Sequence, residues 1–288
     1  MTLREAGNEG RAVLRRAGVE SYAADSALLL THALGIGKHE LLIDAEKEIK
    51  KHDYENYKTL LARRSNNECT AYITNKKEFR FLEFYVDKNV LVPRPDTEIL
   101  VEAALDSIDE LFSSKKTKTK TNIIVLDMCT GSGAVGLSLK YERPFIQVYA
   151  SDISAAALET AKKNASKHQL QDKIFFLQSD VYENITQRFD IITANAPYIP
   201  CGLIETLQAE AQNEPHIALD GGKDGLEIIS RVIKGAKKRL FHGGHIFLEA
   251  SPEQMEKITL LLKSAGFADV KIYKDLSGAD RVIGGGGV

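Results

Sequence analysis

Three glycines, Gly131, Gly133 and Gly136, follow the pattern G-x-G-x-x-G between a predicted strand and a predicted helix. Glycine permits a sharp turn at this point and lets a ligand approach the backbone where a Cβ would collide. Asp152 lies about 20 residues further on, where a carboxylate can accept hydrogen bonds from both hydroxyls of a ribose. The pattern predicts a nucleoside-binding loop, and by itself it fits a nicotinamide dinucleotide as well as S-adenosylmethionine.

Polar residues also mark the ends of neighbouring predicted strands. Asp127 immediately precedes the glycine loop, where a carboxylate can attract a cationic amino group but would repel a pyrophosphate. Asp180 follows the third predicted strand, where it can accept a hydrogen bond from an adenine amino group, and the fourth strand ends in Asn195-Ala196-Pro197-Tyr198. Each aspartate alone is as compatible with a turn or a helix cap. Because open α/β sheets bind ligands at the carboxyl ends of their strands, the whole set favours S-adenosylmethionine.

The elements that must position these residues alternate regularly along the chain. Strand patterns cover residues 123–127, 147–151, 174–178, 189–195 and 245–249, and helical periodicity covers 155–168 and 226–240. Alternation with short connections predicts a parallel sheet covered by helices on both faces. Two further strand patterns, 270–273 and 281–283, are joined by a connection too short for a parallel crossover. We therefore expect a doubly wound, seven-stranded, Rossmann-like methyltransferase sheet whose last strand is antiparallel.

The region before this alternation predicts a separate, mostly helical module. Residues 2–64 show helical periodicity, and Gly35 is placed as the C-terminal stop of a helix. Residues 78–81 and 84–86 predict a β-hairpin, with a turn candidate at 75–77. We expect an N-terminal helical substrate-recognition domain over 1–68, a hairpin linker over 69–92 and a methyltransferase domain over 93–288.

A proline-stiffened segment opens the predicted methyltransferase domain. In Val92-Pro93-Arg94-Pro95-Asp96-Thr97-Glu98, Asp96 is placed to cap a helix that ends near Phe112. The lysine-rich run at 113–120 predicts a solvated loop.

Composition and charge exclude several classes of protein. The 288 residues are 43% hydrophobic and 27% charged, which is typical of an ordinary soluble globular protein. The formal net charge of -2 offers no whole-chain basic field for nucleic acid. The three cysteines, Cys69, Cys129 and Cys201, have neither disulfide nor zinc-ligand spacing, and we expect no metal. No apolar run reaches membrane-spanning length, and no secretory signal opens the chain. We expect a cytoplasmic monomer that binds neither membranes nor nucleic acid stably.

At Asn195-Ala196-Pro197-Tyr198 the chain resembles the HemK/PrmC family, which methylates the glutamine side-chain amide in the Gly-Gly-Gln motif of class I peptide chain release factors. The segment 92–98 is similar to the family's I-P-R-P-E-T-E. Residues 213–226 contain N-E-P, A-L-D-G-G and D-G-L, and residues 275–281 resemble the C-terminal motif. The resemblance covers nearly the whole chain. The N-P-P-Y type of motif also occurs in DNA adenine methyltransferases, so the flanking segments identify the family.

The resemblance implies a cofactor, a partner and a site. It implies S-adenosylmethionine, with S-adenosylhomocysteine as product, and a class I release factor as the protein substrate. Residues 129–133 would line the cofactor, Asp152 would bind its ribose, and Asp180 with Val181 would flank the adenine. The predicted cofactor-binding residues are Asp127, Cys129, Thr130, Gly131, Ser132, Gly133, Asp152, Asp180, Val181 and Asn195. The predicted substrate-binding residues are Asn195, Ala196, Pro197 and Tyr198, of which Asn195, Pro197 and Tyr198 are also the predicted catalytic residues.

A mechanism follows for a nucleophile as poor as an amide nitrogen. We hypothesise that the Asn195 side-chain oxygen and the Ala196 carbonyl each accept one N–H of the substrate, while the Tyr198 ring packs against the planar amide. Such positioning can supply about 7–11 kcal/mol in well-oriented cases. Ala196 departs from the family proline, keeping the carbonyl but adding an N–H that needs a partner.

Three alternatives remain open from the sequence. The same motif could serve adenine N6 methylation of nucleic acid, although the near-neutral charge disfavours it because phosphate neutralisation dominates such binding. Ala196 could instead mark a weakly active, cofactor-binding homologue. A nicotinamide oxidoreductase would leave the position of Asp127 and the segment 195–198 without a role.

Overall fold

The first part of the chain is helical, as its periodicity predicts. The computed structural model describes residues 1–115 and 122–287. Its first helices are α1 (Leu3–Arg16), α2 (Tyr22–Leu34), α3 (Lys38–Ile43), α4 (Lys51–Ser65) and α5 (Thr70–Thr74). Gly35 ends α2 in the left-handed conformation with a φ of 65°, which confirms the predicted stop. Residues Met1–Lys76 form one compact unit together with Gln208–Asn213, a segment that contains α9 (Ala209–Gln212).

Close helix packing and one buried ion pair hold this first unit together. A Cβ on Gly10 would overlap the ring of Tyr57, so glycine lets α1 approach α4 closely. The Tyr57 hydroxyl lies 2.8 Å from the hydroxyl of Ser26 on α2. Arg64 is 2% exposed, and its guanidinium donates to Asp25 at 2.7 Å and also to Glu210. The buried guanidinium of Arg64 therefore binds the segment 208–213 to the helices of this unit.

The second unit, Lys77–Leu207 with Glu214–Val288, begins with a short hairpin. Strand β1 (Lys77–Phe79) pairs antiparallel with β2 (Leu82–Phe84) around a two-residue turn at Arg80-Phe81. The expected turn at 75–77 is wrong, because Asn75 instead ends α5 with a φ of 54°. Phe81, expected in a strand, is exposed at the turn, and the two strands begin one and two residues before the predicted ranges 78–81 and 84–86. Phe79 and Phe84 are the buried phenylalanines of the hairpin.

A seven-stranded sheet forms the centre of the second unit. Its strands are β3 (Ile124–Met128), β4 (Gln147–Asp152), β5 (Ile174–Gln178), β6 (Phe189–Ala194), β7 (Leu240–Glu249), β8 (Ala268–Lys274) and β9 (Asp280–Gly286). They lie in the order β5-β4-β3-β6-β7-β9-β8. β9 runs antiparallel to both of its neighbours, while β3 to β7 are mutually parallel. The predicted Rossmann-like sheet with an antiparallel last strand is confirmed.

Helices connect and cover the strands. They are α6 (Glu98–Lys115), α7 (Ala134–Glu142), α8 (Ala155–Lys167), α10 (Glu227–Arg239) and α11 (Met255–Ser264). The helix expected to end near Phe112 continues to Lys115, so the predicted loop at 113–120 begins as helix and its residues from 116 on lie outside the described part. Asp96 lies inside a 3₁₀ turn over Pro95–Thr97, not at a helix cap, because Arg94 occupies the cap position of that turn.

The sheet positions the candidate site by burying its central strand. Every residue of β6 is buried, and β6 lies between β3 and β7. The chain crosses from one side of β3 to the other between β5 and β6, and such a change in strand order opens a crevice at the carboxyl edge.

Across the described residues, no helix combines the length and the apolar character that crossing a membrane requires.

Candidate functional site

A cavity of about 560 Å³ opens at the carboxyl ends of the central strands. It brings together residues that are up to about 140 positions apart in the chain. Ten of the predicted site residues line it: Asp127, Cys129, Thr130, Gly131, Ser132, Asp152, Asp180, Val181, Asn195 and Pro197. Gly133, Ala196 and Tyr198 are not among the lining residues. The individual roles assigned to these residues stay predictions.

The glycine loop turns sharply between β3 and α7. Gly131 has a φ of 54°, and a Cβ placed there would meet no protein atom within 4 Å, so the backbone at this point is open to a ligand. Gly133 has a φ of 85° and lies directly before α7, where a Cβ would overlap Leu137. Gly131 therefore serves the cavity, whereas Gly133 serves the packing of the helix.

The Asp127 carboxyl group is buried and bound to its own chain. It accepts hydrogen bonds from the Gly136 backbone nitrogen at 2.9 Å and from the hydroxyls of Thr130 and Thr193. Burial raises its pKa to about 6, although the hydrogen bonds from Thr130, Gly136 and Thr193 oppose that shift. These contacts show that Asp127 holds the glycine loop in place. Its expected attraction for a cationic amino group stays a prediction.

Asp152 ends β4 at the rim of the same loop. One carboxylate oxygen accepts from the Gly131 nitrogen and the other from the Ser154 nitrogen, both at 2.9 Å. Burial raises the pKa of this carboxyl, and the backbone donors at Ser154 and Gly131 oppose the shift. Each oxygen keeps a second lone pair, so a pair of ribose hydroxyls can still be accepted.

Two residues next to the cavity hold backbone conformations that side chains rarely adopt. Cys129, directly after β3, has a φ of 56°, and Val181, three residues after β5, has a φ of 49°. Both residues line the cavity. Positive φ is a genuine outlier for a β-branched residue such as valine, and backbone strain of this kind clusters at ligand sites. Burial, followed by the negative charges of Asp152 and Asp127, raises the pKa of the Cys129 thiol, so this side chain is neutral.

An ion pair forms the wall on the β5 side. The Asp180 carboxylate lies 2.8 Å from the guanidinium of Arg231, which is on α10. Arg231 also lines the cavity. No local pattern in the sequence singles out Arg231, because it lies on a helix that begins more than 40 residues after Asp180.

The Asn195 side chain is oriented by a residue from the proline-stiffened segment. Its Nδ2 donates a hydrogen bond of 3.2 Å to the Oγ1 of Thr97, and both residues line the cavity. Because the amide nitrogen is engaged in this way, the Oδ1 oxygen is the end of the amide left to accept from a ligand. The sequence indicates the segment 92–98 through its motif, but it gives no role to Thr97 within that segment.

The backbone after Asn195 is held by close approaches that require glycine. A Cβ on Gly221 would lie 2.8 Å from the Pro197 carbonyl oxygen, and Gly225, with a φ of 74°, lies directly against the Tyr198 carbonyl. The Gln254 side chain donates to that same carbonyl at 2.8 Å. Ala196 is 1% exposed and packs in the core. These contacts give the A-L-D-G-G and D-G-L motifs a physical role.

A buried glutamate lies beneath this segment. The Tyr198 hydroxyl donates to the Oε1 of Glu249 at 3.4 Å, and Glu249 is the last residue of β7. Glu249 is 2% exposed. Burial raises its pKa to about 7, and the charge of Arg281 and the Tyr198 hydroxyl oppose that shift. Nothing local in the sequence indicates this residue, because a glutamate at a strand end carries no signal of burial.

A second buried carboxylate joins the proline-stiffened segment to the residues after β6. Glu214 is 5% exposed and accepts from the Arg94 guanidinium at 2.6 Å and from the Val92 nitrogen at 3.4 Å. Pro93 and Arg94 line the cavity. The carboxylate is buried while the guanidinium is partly exposed, and the two bonds that Glu214 accepts hold the backbone of the segment that carries Thr97.

The lining fits S-adenosylmethionine better than a dinucleotide. Four aspartates, Asp127, Asp152, Asp180 and Asp220, line the cavity against two arginines, and those two are already paired with Asp180 and Glu214. An acidic lining suits an amino group and a sulfonium and opposes a pyrophosphate. The open backbone at Gly131 beside Asp152 matches a ribose.

Comparisons with known proteins agree with this geometry. Residues 5–74 match the model of the PrmC N-terminal domain, and residues 97–209 match that of the methyltransferase small domain. A methyltransferase from Pyrococcus furiosus shares the fold with a TM-score of 0.51 and 19% identity, covering 78% of this chain and 96% of that one. The T. thermophilus 16S rRNA N2 G1207 methyltransferase, solved with AdoMet and guanosine, has a TM-score of 0.51 and 22% identity over 74% of this chain and 50% of that one. Fold and family models together define an S-adenosylmethionine-dependent methyltransferase.

Relatives that match nearly the whole chain identify the family of methyltransferases to which it belongs. The release factor glutamine methyltransferase of Clostridium botulinum is 38% identical over 287 residues, covering 98% of each chain. That of Burkholderia pseudomallei is 37% identical over 269 residues, covering 91% of each. The chain belongs to the release factor glutamine methyltransferase family. The nicotinamide alternative is thereby excluded.

Proposed function

We propose that this protein transfers the methyl group of S-adenosylmethionine to the side-chain amide nitrogen of a glutamine in class I peptide chain release factors, within their Gly-Gly-Gln motif. The observation that carries the proposal is the Asn195 amide, which lines the acidic cavity with its nitrogen bound to Thr97 and its oxygen left to accept. Membership of the family supplies the substrate class.

The bond changes define what the site must do. S-adenosylmethionine supplies an electrophilic methyl group on a sulfonium. A nitrogen–carbon bond forms as the sulfur–carbon bond breaks, the sulfonium becomes a thioether, and the nitrogen loses one proton. The amide lone pair is delocalised into its carbonyl, so the protein must fix the nitrogen where that lone pair can be used.

Acidic residues and the glycine loop hold the donor in this proposal. Asp152 accepts from the ribose hydroxyls while its bonds to Gly131 and Ser154 keep the carboxylate in place. Asp180 flanks the adenine, with Arg231 fixing its carboxylate. Asp127 holds the glycine loop in place by accepting a hydrogen bond from the Gly136 backbone nitrogen.

Two oxygens grip the substrate amide. The Asn195 Oδ1 accepts one N–H and the Ala196 carbonyl accepts the other, which directs the nitrogen toward the methyl group. Pro197 limits the backbone freedom of the segment, and the close contacts of Gly221 and Gly225 with residues 197 and 198 limit it further. Orientation of this kind accounts for about 7–11 kcal/mol in favourable cases.

Methyl incorporation tests the proposal. The protein is incubated with S-adenosylmethionine labelled in its methyl group and a purified class I release factor, and a matched release factor with Gln→Ala in its Gly-Gly-Gln motif serves as the control. Label in the first and none in the second is expected, with the mass increase of one methyl on the glutamine. Label that persists in the control would contradict the assigned target, and S-adenosylhomocysteine binding without any transfer would favour the weakly active alternative raised by Ala196.

A further inference from the structure

A buried glutamine side chain lies against the backbone that follows Asn195. Gln254 is 6% exposed and ends the 3₁₀ turn Pro252–Gln254, which follows β7. Its amide nitrogen donates to the Tyr198 carbonyl at 2.8 Å, and the carbonyl oxygens of Gly225 and Asp224 lie at 3.3 Å and 3.5 Å from the same nitrogen. One side chain therefore joins the segment after β6 to the loop before α10.

The other end of this amide fixes its orientation. The Gln254 Oε1 atom accepts a hydrogen bond of 3.2 Å from the Ser251 backbone nitrogen. A reversed amide would place its oxygen against three carbonyl oxygens and its nitrogen against an N–H group. The nitrogen therefore faces the carbonyls, and its two hydrogens are shared among them, with the shortest bond going to Tyr198.

The chain on either side of this bond is closely packed. The Ile199 carbonyl accepts from the Gly221 nitrogen at 2.9 Å, which fixes the backbone one residue beyond Tyr198. The Tyr198 carbonyl itself lies against Gly225, where a Cβ would be 2.2 Å from the oxygen. Two carbonyl oxygens, those of Tyr198 and Gly225, thus meet at the Gln254 nitrogen, which supplies the hydrogens between them.

We propose that Gln254 is a positioning residue for methyl transfer, because its bond to the Tyr198 carbonyl holds the Ala196 carbonyl and the Tyr198 ring where they meet the substrate amide. This inference rests on the proposed function, since that function assigns the gripping of the glutamine to these two groups. Gln254 is not among the residues that line the cavity, so it acts through Tyr198 and does not touch the substrate.

Pro197 carries a displacement at Tyr198 to the gripping carbonyl. Without the Gln254 donor, the oxygens of Tyr198 and Gly225 would face each other with no hydrogen between them, and their like partial charges would push residue 198 away. The pyrrolidine ring fixes the φ of Pro197, so the backbone has one rotation fewer in which to absorb that shift. Ala196 directly precedes Pro197, so its carbonyl shifts as well. A misplacement of about 1 Å can cost about 100-fold in rate.

The residues proposed to hold the donor make their hydrogen bonds elsewhere. Asp152 is held by the nitrogens of Gly131 and Ser154, and Asp180 is held by Arg231. None of these bonds involves the turn that carries Gln254. Loss of the Gln254 amide should therefore reduce the rate of transfer and leave donor binding unchanged.

The decisive variant is Gln254→Met, which keeps the length of the side chain and removes its amide. Turnover should fall about 10- to 100-fold, while KM for the release factor changes by less than about 3-fold, because the lost orientation matters in the transition state. Glu253→Gln, at the exposed neighbouring residue of the same turn, is the matched control and should retain parental kcat. Parental kcat in Gln254→Met would overturn the proposal.

Calorimetry with S-adenosylhomocysteine separates positioning from a general loss of structure. The number of binding sites per chain counts the molecules that are folded, and kcat is expressed per binding site. Gln254→Met should keep the parental number of sites and an affinity within about 3-fold of the parent. A fall in the number of sites that accounts for the whole fall in turnover would show a merely structural role and overturn the proposal.

A spectroscopic measurement without substrate keeps this inference separate from the proposed function. Labelling with [1-¹³C]tyrosine and [¹⁵N]isoleucine selects two peptide bonds, Tyr72-Ile73 and Tyr198-Ile199, and Tyr198→Phe removes the second signal and so assigns it. In Gln254→Met the Tyr198 carbonyl carbon should move upfield, because a hydrogen bond deshields a carbonyl carbon, while the Tyr72 signal stays constant. An unmoved Tyr198 signal would overturn the proposal.

The two proposals therefore fail differently. A shifted Tyr198 signal in Gln254→Met, together with no methylation of a release factor by the parent, would leave the contact standing and reject the proposed function. Methylation by the parent with equal kcat in Gln254→Met would leave the function standing and reject the role of Gln254.

Discussion

The Asp127 carboxylate accepts a hydrogen bond of 2.9 Å from the backbone nitrogen of Gly136, across the glycine loop that joins β3 to α7. A Cβ on Gly136 would lie 3.0 Å from that same carboxylate oxygen, so a side chain there would crowd the aspartate. The buried aspartate and the third glycine of the motif therefore stabilise the loop together. The contribution of Asp127 to the free energy of unfolding can be measured as a function of pH.

Asp127→Asn should remove part of the pH dependence of stability. Burial raises the folded-state pKa of Asp127 from 3.8 to about 6. The folded protein therefore binds this proton more tightly than the unfolded chain, and the free energy of unfolding falls as the pH rises from about 4 to about 6, by up to about 3 kcal/mol. Asparagine does not titrate, and it can donate to Thr193 while accepting from Gly136.

Urea unfolding at a series of pH values measures this effect. The difference in unfolding free energy between Asp127→Asn and the parent isolates Asp127 from Glu249, whose raised pKa acts in the same direction and is present in both proteins. Parallel curves for the two proteins between pH 4 and 7 would show that Asp127 ionises without cost in the folded state.

Asn195→Ala should abolish methyl transfer while leaving donor binding intact. Removing the amide takes away one of the two acceptors that fix the substrate nitrogen, which should lower kcat by about 100-fold or more. S-adenosylhomocysteine affinity, measured by calorimetry, should change by less than about 3-fold. Asn8→Ala, at an exposed residue of α1 that does not line the cavity, is a suitable control. Near-normal turnover of Asn195→Ala would remove the residue from the mechanism.

Asp180 and Arg231 should contribute unequally to donor binding. In the proposed site the carboxylate accepts from the adenine amino group, while the arginine only fixes the carboxylate. Asp180→Ala should weaken S-adenosylhomocysteine binding about 10-fold, the loss of one hydrogen bond to a charged group, and Arg231→Ala should weaken it about 3-fold or less. Both groups are partly exposed, so neither variant should unfold the protein. A larger effect from Arg231→Ala would assign the ligand contact to the arginine.

Arg64→Met should destabilise the first unit strongly. The arginine is 2% exposed and pairs with Asp25 and Glu210, so methionine would leave a carboxylate without its counter-charge. Removing one partner of a buried ion pair costs about 3–5 kcal/mol. The double variant Arg64→Met with Asp25→Asn should recover part of that loss, as followed by calorimetric unfolding of the full chain. Equal stability of the single and double variants would show that the charge is not the cause.

The local sequence was sufficient for the elements and singled out ten of the residues that line the cavity. Hydrophobic periodicity and the glycine pattern depend on neighbours within a few residues, and they predicted the sheet and its antiparallel last strand correctly. The strand ends were also predicted to meet, because parallel strands bring their carboxyl ends to one edge.

The position of the hairpin turn could not be predicted from the local sequence. An alternating pattern does not say which phenylalanines face the core, and burial of Phe79 and Phe84 moved the turn to Arg80-Phe81. The end of α6 at Lys115 likewise exceeded its apolar pattern, since lysine and serine continue a helix without adding periodicity.

What the sequence alone determined was the type of chemistry, through motifs whose residues are adjacent in the chain: the glycine loop, its aspartates and Asn195-Ala196-Pro197-Tyr198. Only the tertiary structure decided which residues support them. Thr97 and Glu249 lie about 100 and 50 positions from Asn195, and Arg231 lies about 50 positions from Asp180. Nothing in a local pattern distinguishes a buried, hydrogen-bonded carboxyl from a solvated one, because burial is a property of the packed fold and not of the residue.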